Sequence, residues 1–164
     1  EVALQSGWKN STVIVNVQGD EPFIPPDNIA QVAANLILHK VEMASLRAPI
    51  AEAADVRNPN IVKVVVDRDD MALYFSRAVI PYTREPAEIS YYRHIGLYAY
   101  RNVFLQQYTR TPPAPPEEAE KLEQLRALWI GARIHVAVAH TVPGAGVDTP
   151  EDLARVLACQ AESP

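Results

Sequence analysis

A strand-like apolar run that ends in an acidic turn constrains the fold of this chain more than any other feature. Residues 13–17 read Val-Ile-Val-Asn-Val, and Gln18-Gly19-Asp20 follows directly. Near-continuous Val/Ile runs are typical of strands buried on both faces of a parallel sheet, and ligands of open α/β sheets bind beyond the carboxyl ends of such strands. The sequence therefore predicts an α/β fold with a ligand site near Asp20.

A second acidic turn lies far along the chain. Asp148 stands between glycines and a helix start, where Thr149 can cap the helix and Pro150 can occupy its first turn. Mg²⁺ in proteins takes one or two carboxylates and fills its other positions with phosphate oxygens and water. Asp20 and Asp148 are therefore candidate ligands of a Mg²⁺ held against a nucleotide phosphate. Taken alone, Asp20 is explained better as part of a Gly-Asp turn, and it is the pairing with Asp148 that favours a metal ligand.

Hydrophobic periodicity predicts strands alternating with helices along the rest of the chain. The predicted strands cover residues 43–50, 62–67, 71–76, 93–100 and 133–140. The predicted helices cover the end of segment 1–9, the stretch after Pro26, residues 102–108, residues 117–130 up to a capping Gly131, and the stretch after Thr149. This order predicts one domain over residues 1–164, built as a three-layer α/β/α sandwich with a mostly parallel sheet.

Composition excludes several classes of function. The chain has 164 residues, of which 48% are hydrophobic and 21% are charged, as is ordinary for a globular domain. Its net charge of −5, with the basic residues spread out, does not predict a nucleic-acid surface. No apolar run reaches the length of about 20 residues that a membrane span requires. A cytoplasmic location is therefore expected. Cys159 is the single cysteine, so no internal disulfide can form.

Four segments carry a resemblance to a known family. They read VNVQGDEPFIP, ALYFSRAVIPY, RHIGLYAYR and GVDTPEDL, in that order. They resemble the sugar-activating cytidylyltransferases, in particular those that activate 3-deoxy-manno-octulosonate (KDO), and the similarity covers roughly residues 11–157. The resemblance implies a nucleotide-diphospho-sugar transferase fold and a reaction of CTP with KDO that gives CMP-KDO and pyrophosphate for lipopolysaccharide synthesis. It also implies a homodimer in which a sub-lobe at residues 81–131 contributes sugar and dimer contacts.

The resemblance also implies roles for particular residues. Asp20 and Asp148 would bind Mg²⁺, and Arg77 would bind the sugar carboxylate, which a guanidinium can grip with two hydrogen bonds. The expected sugar-hydroxyl ligands are Gln18, His94, Tyr98, Glu123 and Gln124. On residue grounds alone, His94 and Tyr98 lie on one face of a strand, with Gly96 between them leaving room for a ligand. The ordinary alternatives are a surface arginine, a core histidine and a solvated helix face.

Members of this family open with a strand and a basic glycine-containing loop that binds the triphosphate, and the sequence does not include that segment. We therefore expect this chain to be a C-terminal portion of such an enzyme, inactive by itself. One alternative within the enzyme class is sialic acid cytidylyltransferase, which activates another α-keto acid sugar. A second alternative, from a different class, is a non-catalytic interaction domain.

Overall fold

The computed structural model describes residues 2–19, 24–85 and 87–144. A six-stranded mixed sheet lies between helix α2 on one face and helices α4, α5 and α6 on the other. In chain order the elements are α1 (Val2–Gln5), β1 (Val13–Val17), α2 (Pro26–Leu38), β2 (Met43–Pro49), α3 (Ala53–Val56), β3 (Lys63–Val66), β4 (Ala72–Ser76), β5 (Tyr92–Arg101), α4 (Asn102–Arg110), α5 (Pro115–Glu120), α6 (Gln124–Trp129) and β6 (Ile134–Val138). All five strands predicted in the later part of the chain are present, and the short helix α3 was not predicted.

Strand β5 lies at the centre of the sheet and runs antiparallel to each of its neighbours. β2 pairs along one edge of β5, whereas β1 and the first residue of β3 pair along the other edge. Among the described strands, β1, β2, β3 and β6 run in one direction, but only β2 and β6 pair in parallel. The sheet is therefore mixed, and its pairing differs from that of a mostly parallel sheet because β5 lies between strands of the opposite direction. The short connection between β3 and β4 accounts for part of this difference, because a tight turn can join only antiparallel strands.

The two faces of the sheet bury different side chains, and period-two alternation along β5 separates them. Ile95, Leu97 and Ala99 face α2, whereas Tyr98 and Tyr100 face α4, α5 and α6. We call these the α2 face and the α4–α6 face. The α2 face also buries Val32, Leu36, Val41, Ala44, Leu46 and Ala48. The α4–α6 face also buries Met43, Val64, Phe75, Phe104, Leu122, Leu125, Ile134 and Val136. The expected three-layer arrangement is thereby confirmed.

The prediction of a single helix over residues 117–130 is wrong. It is broken into α5 and α6 at Lys121, whose φ of 54° places it in the left-handed region. The break lets Glu120 turn toward β4, where its carboxylate accepts hydrogen bonds from Ser76 Oγ at 2.9 Å. Gly131 follows α6 with a φ of 81°, as expected of a residue that ends a helix.

Two ion pairs tie the connecting segments down. Arg126 on α6 contacts Glu117 on α5 through Nη2, and its Nε lies 2.7 Å from Glu117 Oε2. At the turn between β3 and β4, Asp70 accepts a hydrogen bond from Arg47 Nη2 at 2.7 Å, and its carbonyl accepts one from the backbone N–H of Val136 at 2.8 Å. These contacts hold α5 against α6 and fasten the turn to β6.

Residues 81–131 contribute β5 to the centre of the sheet as well as α4, α5 and α6 to one face. The expected role of this range as a sub-lobe for sugar and dimer contacts stays a prediction. Within the described residues, no helix is both long enough and apolar enough to cross a membrane.

Candidate functional site

Polar side chains line one face of β5 and continue onto the end of β1. His94, Gly96 and Tyr98 share the α4–α6 face, as period-two alternation predicted. The antiparallel register of β1 and β5 brings Gln18 opposite Gly96, and a Cβ added at Gly96 would lie 3.7 Å from Gln18 Cγ. The Gln18 side chain therefore lies over Gly96, on the face of β5 that carries His94 and Tyr98.

Helix α6 brings two further predicted residues to the same place. The Tyr98 hydroxyl donates to Gln124 Oε1 over 3.2 Å, and both side chains are buried. Burial raises the pKa of Tyr98 well above its usual value, and the nearby Glu123 carboxylate raises it further. Tyr98 is therefore neutral at physiological pH and remains a hydrogen-bond donor. We call Gln18, His94, Tyr98, Glu123 and Gln124 the β5 cluster.

One donor of the β5 cluster lacks a partner. Gln124 is 1% exposed, and its Nε2 has no hydrogen-bond partner among the residues that the structure describes. Leaving a buried amide N–H unpaired costs about 1–3 kcal/mol. An oxygen atom of a bound ligand would remove this cost, so Gln124 is suited to hold a hydroxyl or carbonyl group.

His94 is enclosed by aromatic and polar neighbours. Its ring contacts Phe75 edge-on, with centroids 4.9 Å apart, and lies 5.3 Å from the ring of Tyr98. Its Nε2 lies 2.8 Å from Ser45 Oγ on β2. Desolvation lowers the pKa of His94 to about 3, so the imidazole is neutral at physiological pH. The sequence offered one signal for Ser45, which is a small polar residue within the strand predicted over residues 43–50.

Arg77 lies just beyond β4, and its side chain is already engaged. Its Nε donates to the Glu120 carbonyl over 2.7 Å, and its Nη1 donates to the Pro59 carbonyl over 2.9 Å. Its backbone N–H donates to Glu120 Oε2 over 2.6 Å. Glu120 therefore orients Arg77 both through its carboxylate and through its backbone. These bonds leave other guanidinium N–H groups that can bind a carboxylate. The predicted role of Arg77 in binding the sugar carboxylate stays a prediction.

Sequence reasoning did not identify Lys63, which supports the loop beneath Arg77. Lys63 is fully buried, and its Nζ donates to the carbonyls of Asn58, Ile61 and Arg77 at 2.9, 2.6 and 2.7 Å. Desolvation lowers the pKa of this ammonium group. The available signal was a lysine within the apolar run Ile61–Val66, because a lysine is rarely fully buried unless it is paired.

The two predicted metal ligands, Asp20 and Asp148, lie outside the described residues. Within residues 2–19, 24–85 and 87–144, no three His, Cys, Asp or Glu side chains form a group that could hold a metal ion. The assignment of Asp20 and Asp148 as metal ligands stays a prediction.

Comparisons with known proteins agree with this arrangement. A structure of CMP:2-keto-3-deoxy-manno-octonic acid synthetase complexed with CTP matches with a TM-score of 0.88 and 39% identity. The match covers 98% of this chain and 66% of that chain, so the chain spans just under two thirds of that protein's length. A glucose-1-phosphate thymidylyltransferase from Bacillus anthracis, in complex with a sucrose, matches with a TM-score of 0.56 and 16% identity, over 99% of this chain and 60% of that chain.

The second match shows the fold alone, because its identity is low. The first agrees with the expected nucleotide-diphospho-sugar transferase fold. A family model described as cytidylyltransferase matches residues 2–134, which is most of the chain. The chain therefore belongs to the cytidylyltransferase family.

Proposed function

We propose that the full-length protein containing this chain transfers the cytidylyl group of CTP to KDO, which gives CMP-KDO and pyrophosphate. The observation that carries the proposal is the 39% identity and TM-score of 0.88 to a CMP:2-keto-3-deoxy-manno-octonic acid synthetase complexed with CTP. A match of this closeness over 98% of the chain supports a shared reaction as well as a shared fold.

The β5 cluster supports a polyhydroxylated substrate. It combines a neutral imidazole, a phenol hydroxyl, two amides and one carboxylate, which together can both donate and accept hydrogen bonds. Sugar hydroxyls need both kinds of partner. In this proposal Arg77, oriented by Glu120, binds the carboxylate of KDO, because a guanidinium matches a carboxylate in charge and geometry.

The reaction is a phosphoryl-group displacement in which positioning and charge neutralisation matter most. The anomeric hydroxyl of KDO attacks the α-phosphorus of CTP and forms the new P–O bond. The bond between the α-phosphorus and the bridging oxygen breaks, pyrophosphate leaves with that electron pair, and the attacking hydroxyl loses its proton. The β5 cluster would hold the sugar in line for this attack.

We propose Asp20 and Asp148 as the ligands of Mg²⁺ in the same site. Carboxylate oxygens are hard ligands that this ion prefers, and a pair of them leaves positions for phosphate oxygens and water. When bound, Mg²⁺ supplies positive charge that stabilises the reacting phosphate. We further propose that the protein acts as a cytoplasmic homodimer and that its product serves lipopolysaccharide synthesis.

The direct test is pyrophosphate release by the full-length protein with CTP and KDO. We expect turnover of about 1 per second or more with KDO, and almost none with sialic acid. A site that hydrogen-bonds particular hydroxyls leaves buried polar groups unpaired when it meets a sugar with a different hydroxyl pattern. Equal turnover of both sugars, or no turnover with KDO, would refute the proposal.

Variants test the assigned residues. Asp20→Asn and Asp148→Asn should each reduce turnover severely and weaken its dependence on Mg²⁺, whereas the exposed control Asp69→Asn should not. Glu123→Ala and His94→Ala should lower kcat/KM for KDO by about 10- to 100-fold, the worth of a hydrogen bond to a charged or buried group, with CTP affinity retained. A defect confined to CTP affinity would show that the β5 cluster does not bind the sugar.

A further inference from the structure

The hydrogen bonds of Ser45 determine which nitrogen of His94 carries the proton. Ser45 Oγ lies 3.0 Å from the carbonyl oxygen of Ile95 and 2.8 Å from His94 Nε2, and Ser45 is fully buried. A carbonyl oxygen can only accept, so the single hydroxyl hydrogen of Ser45 points to Ile95. Toward His94 the hydroxyl therefore acts as an acceptor, and Nε2 must carry the hydrogen.

This assignment leaves Nδ1 of His94 as a lone-pair acceptor. A neutral imidazole has one N–H, so a hydrogen on Nε2 leaves none on Nδ1. Nδ1 has no hydrogen-bond partner among the described residues. It is also absent from the buried polar atoms that lack a partner, so a ligand atom can reach it. The low pKa of His94 supports the neutral form at physiological pH.

We propose that Ser45 is a positioning residue, which accepts the Nε2–H of His94 and so presents Nδ1 as an acceptor for a hydroxyl of the sugar. The identity of the sugar in this inference rests on the proposed function. The assignment of the His94 tautomer rests only on the hydrogen bonds of Ser45. The opposite tautomer would present a donor, which suits a carboxylate or carbonyl oxygen and could not accept a hydroxyl hydrogen. Ser45 thus makes the β5 cluster select for a donor group at this position.

The first experiment measures the tautomer directly. Long-range ¹H–¹⁵N correlation spectra of the histidine-labelled protein separate a protonated ring nitrogen from an unprotonated one, with the His94 signals assigned from a His94→Gln variant. We expect Nε2 protonated and Nδ1 unprotonated near pH 7. Ser45→Ala should move the equilibrium toward the other tautomer, and Ser45→Thr should keep the original pattern. Ser76→Ala is the matched buried-serine control, since Ser76 bonds to Glu120, and should leave the pattern unchanged.

The second experiment measures the consequence for the substrate. Ser45→Ala should raise KM for KDO by about tenfold, the usual worth of one hydrogen bond, and should leave KM for CTP unchanged. Ser45→Thr should restore KM for KDO, and thermal melting curves of all variants should show that they fold.

The outcomes separate this inference from the proposed function. Protonated Nδ1 in the unmodified protein would overturn the Ser45 assignment, whatever the substrate. An unchanged KM for KDO in Ser45→Ala would overturn the role in sugar binding. Absence of any KDO turnover, together with the expected spectra, would refute the proposed function and the sugar contact while leaving the tautomer assignment correct.

Discussion

Asn28 and Gln31 on the α2 face use their buried amide groups in the opposite way to Gln124 on the α4–α6 face. On the α2 face, Asn28 Nδ2 donates to the Thr141 carbonyl over 2.7 Å, and Asn28 Oδ1 accepts from the Thr141 N–H over 3.2 Å. Gln31 makes the same pair of bonds with the Val138 carbonyl and the His140 N–H, at 2.8 and 2.9 Å. Each of these amides therefore both donates to and accepts from the backbone at the end of β6 and just beyond it.

On the α4–α6 face, by contrast, Gln124 accepts from Tyr98 and leaves its buried donor unpaired within the described residues. Backbone atoms move little and are always present, so an amide bonded to them stabilises the fold. A buried amide with an unused donor reduces stability and is explained better by a ligand than by folding. The comparison shows that burial alone does not identify a site residue. Asn35 Nδ2 on α2 and Arg47 Nε on β2 are also buried without a partner, so an unpaired donor indicates a site only where, as at Gln124, it lies beside other candidate ligand groups.

At neutral pH, the largest loss of stability that we expect from a substitution testing this comparison is on the α2 face. Asn28→Ala should lower the free energy of unfolding by about 2 kcal/mol, since two hydrogen bonds are lost and backbone groups of Thr141 are left without them. Denaturant unfolding of the variant measures the loss. Turnover per folded molecule should be unchanged, and a variant as stable as the original protein would show that this amide does not hold the strand end.

Acidification probes both faces, because each holds one neutral histidine: His135 is buried and His94 is partly buried. On the α2 face, desolvation and then the stacked His39, whose ring centroid lies 3.7 Å away, lower the pKa of His135 to about 4. On the α4–α6 face, desolvation lowers the pKa of His94 to about 3. An unfolded histidine has a pKa of about 6.5, so below that pH the unfolded state binds more protons than the folded state.

The free energy of unfolding should therefore be fully developed above pH 6.5 and should fall as the pH drops from there toward 4. The limiting slope is about 1.4 kcal/mol per pH unit for each histidine. His135→Phe keeps an aromatic ring against His39 and should remove about half of the slope between pH 6 and 5, as measured by denaturant unfolding at each pH. A slope unchanged by this substitution would show that His135 is protonated in the folded protein.

The smallest expected effect on stability sharpens the comparison. Gln124→Met removes the unpaired amide donor and one hydrogen bond from Tyr98, and the nearby Glu123 carboxylate can still accept from that hydroxyl. These changes oppose each other, so the free energy of unfolding should change by less than about 1 kcal/mol. kcat/KM for KDO should nevertheless fall, and a stability loss as large as that of Asn28→Ala would show that the two amides serve the same purpose.

Local patterns predicted the elements because each pattern depends on residues near one another in the chain. Period-two alternation placed His94 and Tyr98 on one face of β5, and the glycine after α6 predicted where that helix ends. The break at Lys121 could not be predicted in this way, since it depends on Glu120 reaching Ser76 on a different strand. A helical pattern over residues 117–130 contains no information about that contact.

By itself, the sequence determined the alternation of strands and helices, the family, and the residue types from which the β5 cluster is built. Only the tertiary structure decided that β5 is the central antiparallel strand, that Ser45 meets His94, and that Gln124 keeps an unpaired donor. The physical reason is separation along the sequence. Propensity and periodicity depend on residues a few positions apart, whereas strand pairing and the direction of a hydrogen bond depend on residues such as Ser45 and His94, which are distant in sequence until folding brings them into contact.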